Sequence, residues 1–135
     1  ILDAAAAVAA ITGAGTGTLP TVNETESNGS IASANTVSAP ANVAGSIGST
    51  SDTDYFKVVL PAGKTLSATL TPPSGKDYDL YLVNASGTQL RASENGAGAV
   101  DSFTYANTGS ASVTVYVRVV YYSGGTGSYT LGLGW

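Results

Sequence analysis

The strongest constraint on the fold is an alternation of apolar and polar residues that begins near Val43 and continues to the end of the chain. The longest run covers residues 113–121, where Val or Tyr stands at every odd position. Because successive side chains of a strand point to opposite faces, this period of two indicates strands with one buried face. About eight such strands, separated by turns rich in Gly, Pro and Asn, predict an all-β domain built as an antiparallel β-sandwich.

The chain divides into three segments. Residues 1–11 are apolar and Ala-rich, which predicts a short helical remnant of a preceding domain, and they are too few to span a bilayer. Residues 12–42 combine a Gly-rich stretch with small polar residues and show no periodicity, so we interpret them as a flexible linker that carries an acidic segment. Residues 43–135 form the predicted sandwich.

Cysteine and histidine are absent from the sequence. Without them the chain cannot form a Ser-His or Cys-His nucleophile, a zinc site of the usual kind or a disulfide, so we predict that the module is not itself an enzyme. Charged residues make up 10% of the chain, against roughly 25% in ordinary globular proteins, and this is the composition of an exported β-protein. We expect the module to be extracellular and a monomer. A net charge of -4 excludes nucleic acid as the expected partner.

Six of the nine acidic residues form three pairs of the type acid-x-acid: Glu24/Glu26, Asp52/Asp54 and Asp77/Asp79. Residues two apart on a strand project to the same side, so two carboxylates can converge on one point. Such a pair needs a cation, a hydrogen-bond donor or open water, and calcium is the usual partner of oxygen-only ligands. The alternative interpretation is that all three pairs are solvated strand ends.

Short motifs follow one another in a characteristic order: Asn23-x-Thr25-Glu26-Ser27-Asn28, Gly45-Ser46-Ile47, Asp52-Thr53-Asp54-Tyr55-Phe56, Pro61-Ala62-Gly63-Lys64-Thr65-Leu66, Asp77-Tyr78-Asp79-Leu80-Tyr81-Leu82, Tyr116-Val117-Arg118-Val119 and Tyr129-Thr130-Leu131. From about Asn23 to Trp135 this series resembles the bacterial pre-peptidase C-terminal domain, a module appended to secreted peptidases. Separately, residues 1–11 resemble the last helix of a subtilisin-like catalytic domain.

The resemblance implies a jelly-roll-like β-sandwich. It also implies a calcium site, because related collagen-binding domains of bacterial collagenases bind calcium between an N-terminal acidic segment and an Asp-rich turn. Carried over to this sequence, the side-chain ligands are Glu24, Glu26, Asn28, Asp52 and Asp54. The sequence departs from those domains at Gly29, where they have another acid, and this departure weakens or abolishes the site.

The family keeps the pair Asp77/Asp79 at the entry of a strand. There we expect a structural role in which the carboxylates accept hydrogen bonds from turn amides. A glycosidase acid and base is disfavoured, because acids two apart on one strand seldom line a sugar-sized cleft.

Tyrosine is unusually frequent, with eight Tyr against two Phe. Exposed aromatic residues on a flat sheet suit binding to a fibrous protein or a polysaccharide, although Tyr is also an ordinary strand former. By analogy with the Tyr-bearing strands of collagen-binding relatives, the predicted substrate-binding residues are Tyr116, Arg118, Tyr121 and Tyr122.

The function that we predict is a noncatalytic C-terminal accessory domain of an extracellular bacterial serine protease of the subtilisin type. Its partners would be the catalytic domain of the same chain and an insoluble protein such as collagen, or it would assist secretion and maturation. Two alternatives stay open: a stand-alone adhesin or carbohydrate-binding module, and a propeptide-like segment that is removed on maturation at a Gly-rich site.

Overall fold

The computed structural model describes residues 19–135. The predicted helix at residues 1–11 and the first part of the predicted linker lie outside the described residues. The strands are β1 (Thr21–Asn23), β2 (Asn35–Thr36), β3 (Ala41–Ile47), β4 (Thr53–Leu60), β5 (Thr65–Thr71), β6 (Asp77–Asn84), β7 (Gln89–Ser93), β8 (Asp101–Ala106), β9 (Val113–Ser123) and β10 (Gly127–Gly134). A short 3₁₀ helix, Ile31–Ser33, stands between β1 and β2.

The ten strands form two five-stranded sheets that pack face to face. The first sheet has the order β1-β3-β10-β5-β8 and the second has the order β2-β4-β9-β6-β7. The pairs β1/β3 and β2/β4 are parallel, whereas all the other pairs are antiparallel. Each sheet therefore has an antiparallel body with one short parallel strand added at its edge.

The core lies between the sheets and is formed by the residues that the alternation predicted. On β4, the side chains of Phe56, Val58 and Leu60 are fully buried. On β9, the neighbouring strand of the same sheet, Val115, Val117 and Val119 lie beside them on the buried face. The first sheet contributes, among others, Val43, Leu66, Leu70, Leu131 and Leu133. The fold class predicted from the sequence is confirmed.

The N-terminal part of the sandwich differs from the prediction. Residues 21–42, which the sequence analysis assigned to the linker, contribute β1, β2 and the start of β3. Val37 is buried and Val22 packs against the core. The short parallel strands are held by backbone hydrogen bonds and expose most of their side chains, so they leave no period-two pattern in the sequence. This accounts for ten strands instead of about eight.

Within the described chain, no helix has the length and the apolar character that crossing a membrane requires.

Candidate functional site

Residues 24–28, which we call the acidic loop, leave β1 and run along the end of the sandwich. Parallel pairing of β1 with β3 brings Glu24 beside β3, where its backbone N–H donates to Ala44 O at 2.9 Å. The Glu24 side chain is fixed in turn, because its Oε1 accepts a 2.8 Å hydrogen bond from the Ser46 backbone N–H. The other oxygen, Oε2, is buried without a hydrogen-bond partner.

Asn35, at the start of β2, fastens the acidic loop to the second sheet. Its Oδ1 accepts from the backbone N–H of Thr25 at 2.9 Å, and its Nδ2 donates to the Thr25 carbonyl at 3.1 Å. The same Oδ1 accepts from Asn28 Nδ2 at 3.1 Å, while the Asn28 carbonyl accepts from Tyr55 N–H at 2.8 Å. Asn28 is fully buried, and its Oδ1 has no partner.

Asp54 lies where the two sheets meet. The alternation of β4 turns it to the same face as Phe56, so its carboxylate is fully buried at the end of the core. Tyr129, on β10 of the first sheet, donates its hydroxyl to Asp54 Oδ2 at 2.7 Å. Asp54 Oδ1 has no hydrogen-bond partner, which is costly for a buried carboxylate oxygen.

The position of Tyr129 depends on a glycine. Tyr129 pairs with Gly45 across β10 and β3, and a Cβ atom on Gly45 would lie 2.4 Å from the Tyr129 ring. No Cβ tolerates such a distance, so the ring can lie over the backbone of β3 only because residue 45 has no side chain.

The acidic loop and Asp54 together form a three-carboxylate cluster. Glu24, Glu26 and Asp54 each offer a carboxylate oxygen, and these three atoms all lie within 4.8 Å of one another. Burial, helped by the carboxylates of Glu24 and Asp52, raises the pKa of Asp54 to about 9, although the Tyr129 hydrogen bond opposes the change. Burial and the Glu24 carboxylate also raise the pKa of Glu26. The arrangement therefore resists holding its full negative charge without a cation.

Asp52, unlike Glu24, Glu26 and Asp54, is not one of the three converging acids. Asp52 Oδ2 accepts a 2.8 Å hydrogen bond from the Gly48 backbone N–H and so closes the turn before β4. Its charge still raises the pKa values of Glu26 and Asp54, so it lies close to the cluster without belonging to the three acids that converge. At Gly29, the position of the missing acid, an added Cβ would make an ordinary 3.4 Å contact with Thr53 O.

The predicted substrate-binding residues do not form one exposed patch. Tyr116 is only 8% exposed, because β9 is the central strand of its sheet and the neighbouring strands cover it. Tyr121 packs against the core, with its ring centroid 6.3 Å from that of Tyr78. The prediction that Tyr121 belongs to the binding surface is therefore wrong. Tyr122 is 69% exposed.

Arg118 lies between two tyrosines that the sequence analysis did not include in the patch. It pairs with Tyr55 on β4 and with Tyr81 on β6, and its guanidinium carbon lies 5.9 Å and 5.4 Å from the respective ring centroids. Arg118 is half-buried in this stack. We call the outward surface formed by Tyr55, Tyr81, Arg118 and Tyr122 the tyrosine face.

The pair Asp77/Asp79 does not have the role expected for it. Asp77 Oδ1 is buried without a hydrogen-bond partner, instead of accepting from a turn amide. Asp77 and Asp79 converge with Asp101, which sequence reasoning missed because it lies 22 positions beyond Asp79 and stands alone in its segment of the chain. Asn35, Gly45 and Tyr129 were also missed, because only the pairing of the strands that carry them brings them next to the first cluster.

These features define the class of the molecule as a two-sheet β-sandwich with an acidic loop docked where the sheets meet. The structure is similar to the pre-peptidase C-terminal domain of a collagenase from Bacillus anthracis, with a TM-score of 0.56 and 17% identity, covering 74% of this chain and 93% of that one. The chain thus has the fold of a pre-peptidase C-terminal domain, as the sequence resemblance implied.

A second similar structure is PliG from Aeromonas hydrophila, a periplasmic inhibitor of g-type lysozyme. Its TM-score is 0.52 with 17% identity, covering 74% of this chain and 95% of that one. No protein-family model matches the sequence, and no curated protein matches it.

Proposed function

We propose that this chain is a noncatalytic accessory domain of a secreted bacterial protease, with a calcium ion that fastens its acidic loop to the sandwich. The observation that carries the proposal is the convergence of Glu24 and Glu26, from the loop, on the buried Asp54 of β4. The ion would join two parts of the chain that are about 30 positions apart in sequence.

The donor set suits calcium. Calcium takes six to eight oxygen ligands in flexible geometry, from carboxylates, amide carbonyls and water. Glu24 Oε2, Asn28 Oδ1 and Asp54 Oδ1 are buried oxygens without hydrogen-bond partners, and Glu26 adds a fourth, exposed ligand. Asp52, whose Oδ2 is engaged by Gly48, would contribute charge and its second oxygen. Water and backbone carbonyls would complete the coordination.

The role as an accessory domain is supported by the fold and by the composition. A sandwich without Cys or His lacks the nucleophile and base pairs of proteases. Its similarity to the pre-peptidase C-terminal domain of a collagenase favours attachment to a secreted peptidase, and the motif at residues 1–11 favours one of the subtilisin-like serine type. In this proposal the module acts outside the cell as a monomer.

The tyrosine face is the surface that we assign to an insoluble protein substrate such as collagen. Tyr55 and Tyr81 hold the Arg118 guanidinium between them, which gives a flat surface with a polar centre. Tyr122 extends that surface with an exposed ring. Aromatic residues and Arg give a large contact area at low entropy cost.

The calcium site is tested by thermal unfolding of the chain in calcium and in EDTA. A native-state ligand at a hundredfold its dissociation constant adds about 2.7 kcal/mol, which is a rise of very roughly 10 °C for a domain of this size. We expect most of this rise to disappear in Asp54→Asn, which keeps the shape of the side chain. An equal rise in the wild type and in this variant would refute the site.

Substrate binding is tested by co-sedimentation of the chain with insoluble collagen, and in parallel with cellulose and chitin, in calcium and in EDTA. We expect retention on collagen that falls in Tyr122→Ala. The matched control is Thr130→Ala, an exposed residue of the first sheet that lies away from the tyrosine face. Retention on polysaccharide alone would favour the carbohydrate-binding alternative, and no retention on any of them would favour a role in secretion or maturation.

A further inference from the structure

A second group of three acids lies at a different place in the sandwich from the acidic loop. Asp77 and Asp79 come from the start of β6 in the second sheet, and Asp101 comes from the start of β8 in the first sheet. Each offers a carboxylate oxygen, and the three oxygens lie within 4.8 Å of one another. Like the first cluster, this one joins the two sheets.

The acids of this second cluster are buried and incompletely hydrogen-bonded. Asp101 is 0% exposed and Asp77 is 7% exposed, yet Asp101 Oδ2 and Asp77 Oδ1 have no hydrogen-bond partner. The other oxygen of Asp101 is held in place by two donors, Ser93 Oγ at 3.0 Å and Asn95 N–H at 2.7 Å. A fixed carboxylate therefore presents one unpaired oxygen beside two further carboxylates, an arrangement that requires either a cation or protonation of the acids.

The basic side chains near this cluster are engaged elsewhere. Lys76 precedes Asp77, but its ammonium donates to the Gly124 carbonyl at 3.0 Å. Arg91, on β7, donates to the carbonyls of Leu90 at 2.7 Å and Thr104 at 3.0 Å. Arg118 is stacked between Tyr55 and Tyr81. Glu94 adds a fourth acid to the wall of the same pocket.

Solvent reaches Asp77 and Asp79 through an open pocket of about 490 Å³, whose lining also includes Glu94, Asn95 and Tyr122. We propose that Asp77, Asp79 and Asp101 bind a second hard divalent cation, with water in the pocket completing its coordination. Calcium fits this site better than magnesium, because three carboxylates on strands fixed by two sheets do not impose the octahedral geometry that magnesium demands. This inference is independent of the site at the acidic loop.

The test counts the calcium ions bound by the 135-residue chain in equilibrium dialysis and locates them by amide NMR. The Asn95 amide, which donates to Asp101, reports on the second cluster, and the Ser46 amide, which donates to Glu24, reports on the first. The variants are Asp79→Asn and Asp54→Asn, one for each cluster. Glu94→Gln is the matched control, since it changes the charge of the same pocket outside the three acids.

We expect the wild type and Glu94→Gln to bind two ions and each Asp→Asn variant to bind one, with only the reporter amide of the intact cluster shifting. A wild type in which calcium does not shift the Asn95 amide, and whose single ion is lost in Asp54→Asn, would overturn this inference and leave the proposed function standing. A single ion lost only in Asp79→Asn would support the inference and overturn the site at the acidic loop. Absence of any bound ion would overturn both.

Discussion

The Tyr129 hydroxyl donates a 2.7 Å hydrogen bond to Asp54 Oδ2, and this bond joins β10 of the first sheet to β4 of the second. It is buried and supports the carboxylate on which the acidic loop converges. The contribution of this hydrogen bond to stability can therefore be measured without calcium, separately from the binding of an ion.

Replacing Tyr129 with Phe removes the hydroxyl and keeps the ring. Asp54 then loses its only hydrogen-bond donor among the described residues, so we expect the variant to lose about 1–3 kcal/mol of unfolding free energy. Urea unfolding in EDTA measures this loss. The control is Tyr122→Phe, which changes an exposed hydroxyl and should stay within about 0.5 kcal/mol of the wild type. Equal stability of both variants would show that the Tyr129 bond contributes nothing.

Gly45→Ala should destabilise the sandwich because its new Cβ meets the Tyr129 ring at 2.4 Å. Displacement of a packed ring costs about 1–3 kcal/mol, and we expect it to weaken calcium binding too, since the ring carries the hydroxyl that holds Asp54. Chemical unfolding and calcium titration of the same variant measure the two effects. Gly134→Ala is the matched control: it lies in β10, and no atom stands within 4 Å of its added Cβ. A Gly45→Ala variant as stable as this control would contradict the argument.

The sequence predicted the core of the fold because burial imposes its own pattern. From Phe56 onwards every second position of β4 is apolar, as at Val58 and Leu60, because one face of this strand is buried. It did not predict β1 and β2, because Thr21–Asn23 and Asn35–Thr36 add parallel strands through backbone hydrogen bonds, which any residue but proline can make.

The candidate site was predictable where its residues stand two apart, as Glu24 and Glu26 do. The partners of these residues depend on which strands become neighbours. Tyr129 reaches Asp54 from 75 positions away, and Asp101 joins Asp79 from the other sheet. The spacing of residues along the chain does not predict either contact.

The metal-free protein should become less stable as the pH rises from about 4 to about 9. Burial raises the pKa of the Asp54 carboxyl from 3.8 to about 9, so the folded state holds a proton that the unfolded state releases near pH 4. The stabilisation from this group is complete below pH 4 and is lost as the pH passes through 9. Unfolding free energies measured in EDTA across this range check the prediction.

Calcium bound at the proposed site should reverse this trend, because the ion favours the ionised carboxylate and displaces its proton. Asp54→Asn removes the titrating group, so the variant should show a flatter profile in EDTA. A wild-type profile in EDTA that rises between pH 4 and pH 9 would contradict the prediction.

Gly29→Asp should tighten calcium binding at the proposed site. The added Cβ makes an ordinary 3.4 Å contact with Thr53 O, so the side chain fits, and it places a further carboxylate next to Asn28. We expect the dissociation constant to fall by roughly tenfold, which is equivalent to about 1.4 kcal/mol. Calorimetric titration measures the change, and Gly134→Asp is the control for added charge alone. No gain over that control would mean that residue 29 does not face the ion.

The two strands that flank the acidic loop have a consequence for the behaviour of the protein in concentrated solution. β1 covers the outer edge of β3 in one sheet, and β2 covers the outer edge of β4 in the other. β1 pairs with three residues of β3, and β2 pairs with two residues of β4. Both belong to the segment that the loop fastens, so its release would remove this cover and leave the outer edges of β3 and β4, seven and eight residues long, unpaired at the same time. Uncovered edges of this length are templates for pairing with other chains. Chelation of calcium should therefore promote aggregation below the unfolding temperature, and light scattering in EDTA and in calcium would detect it.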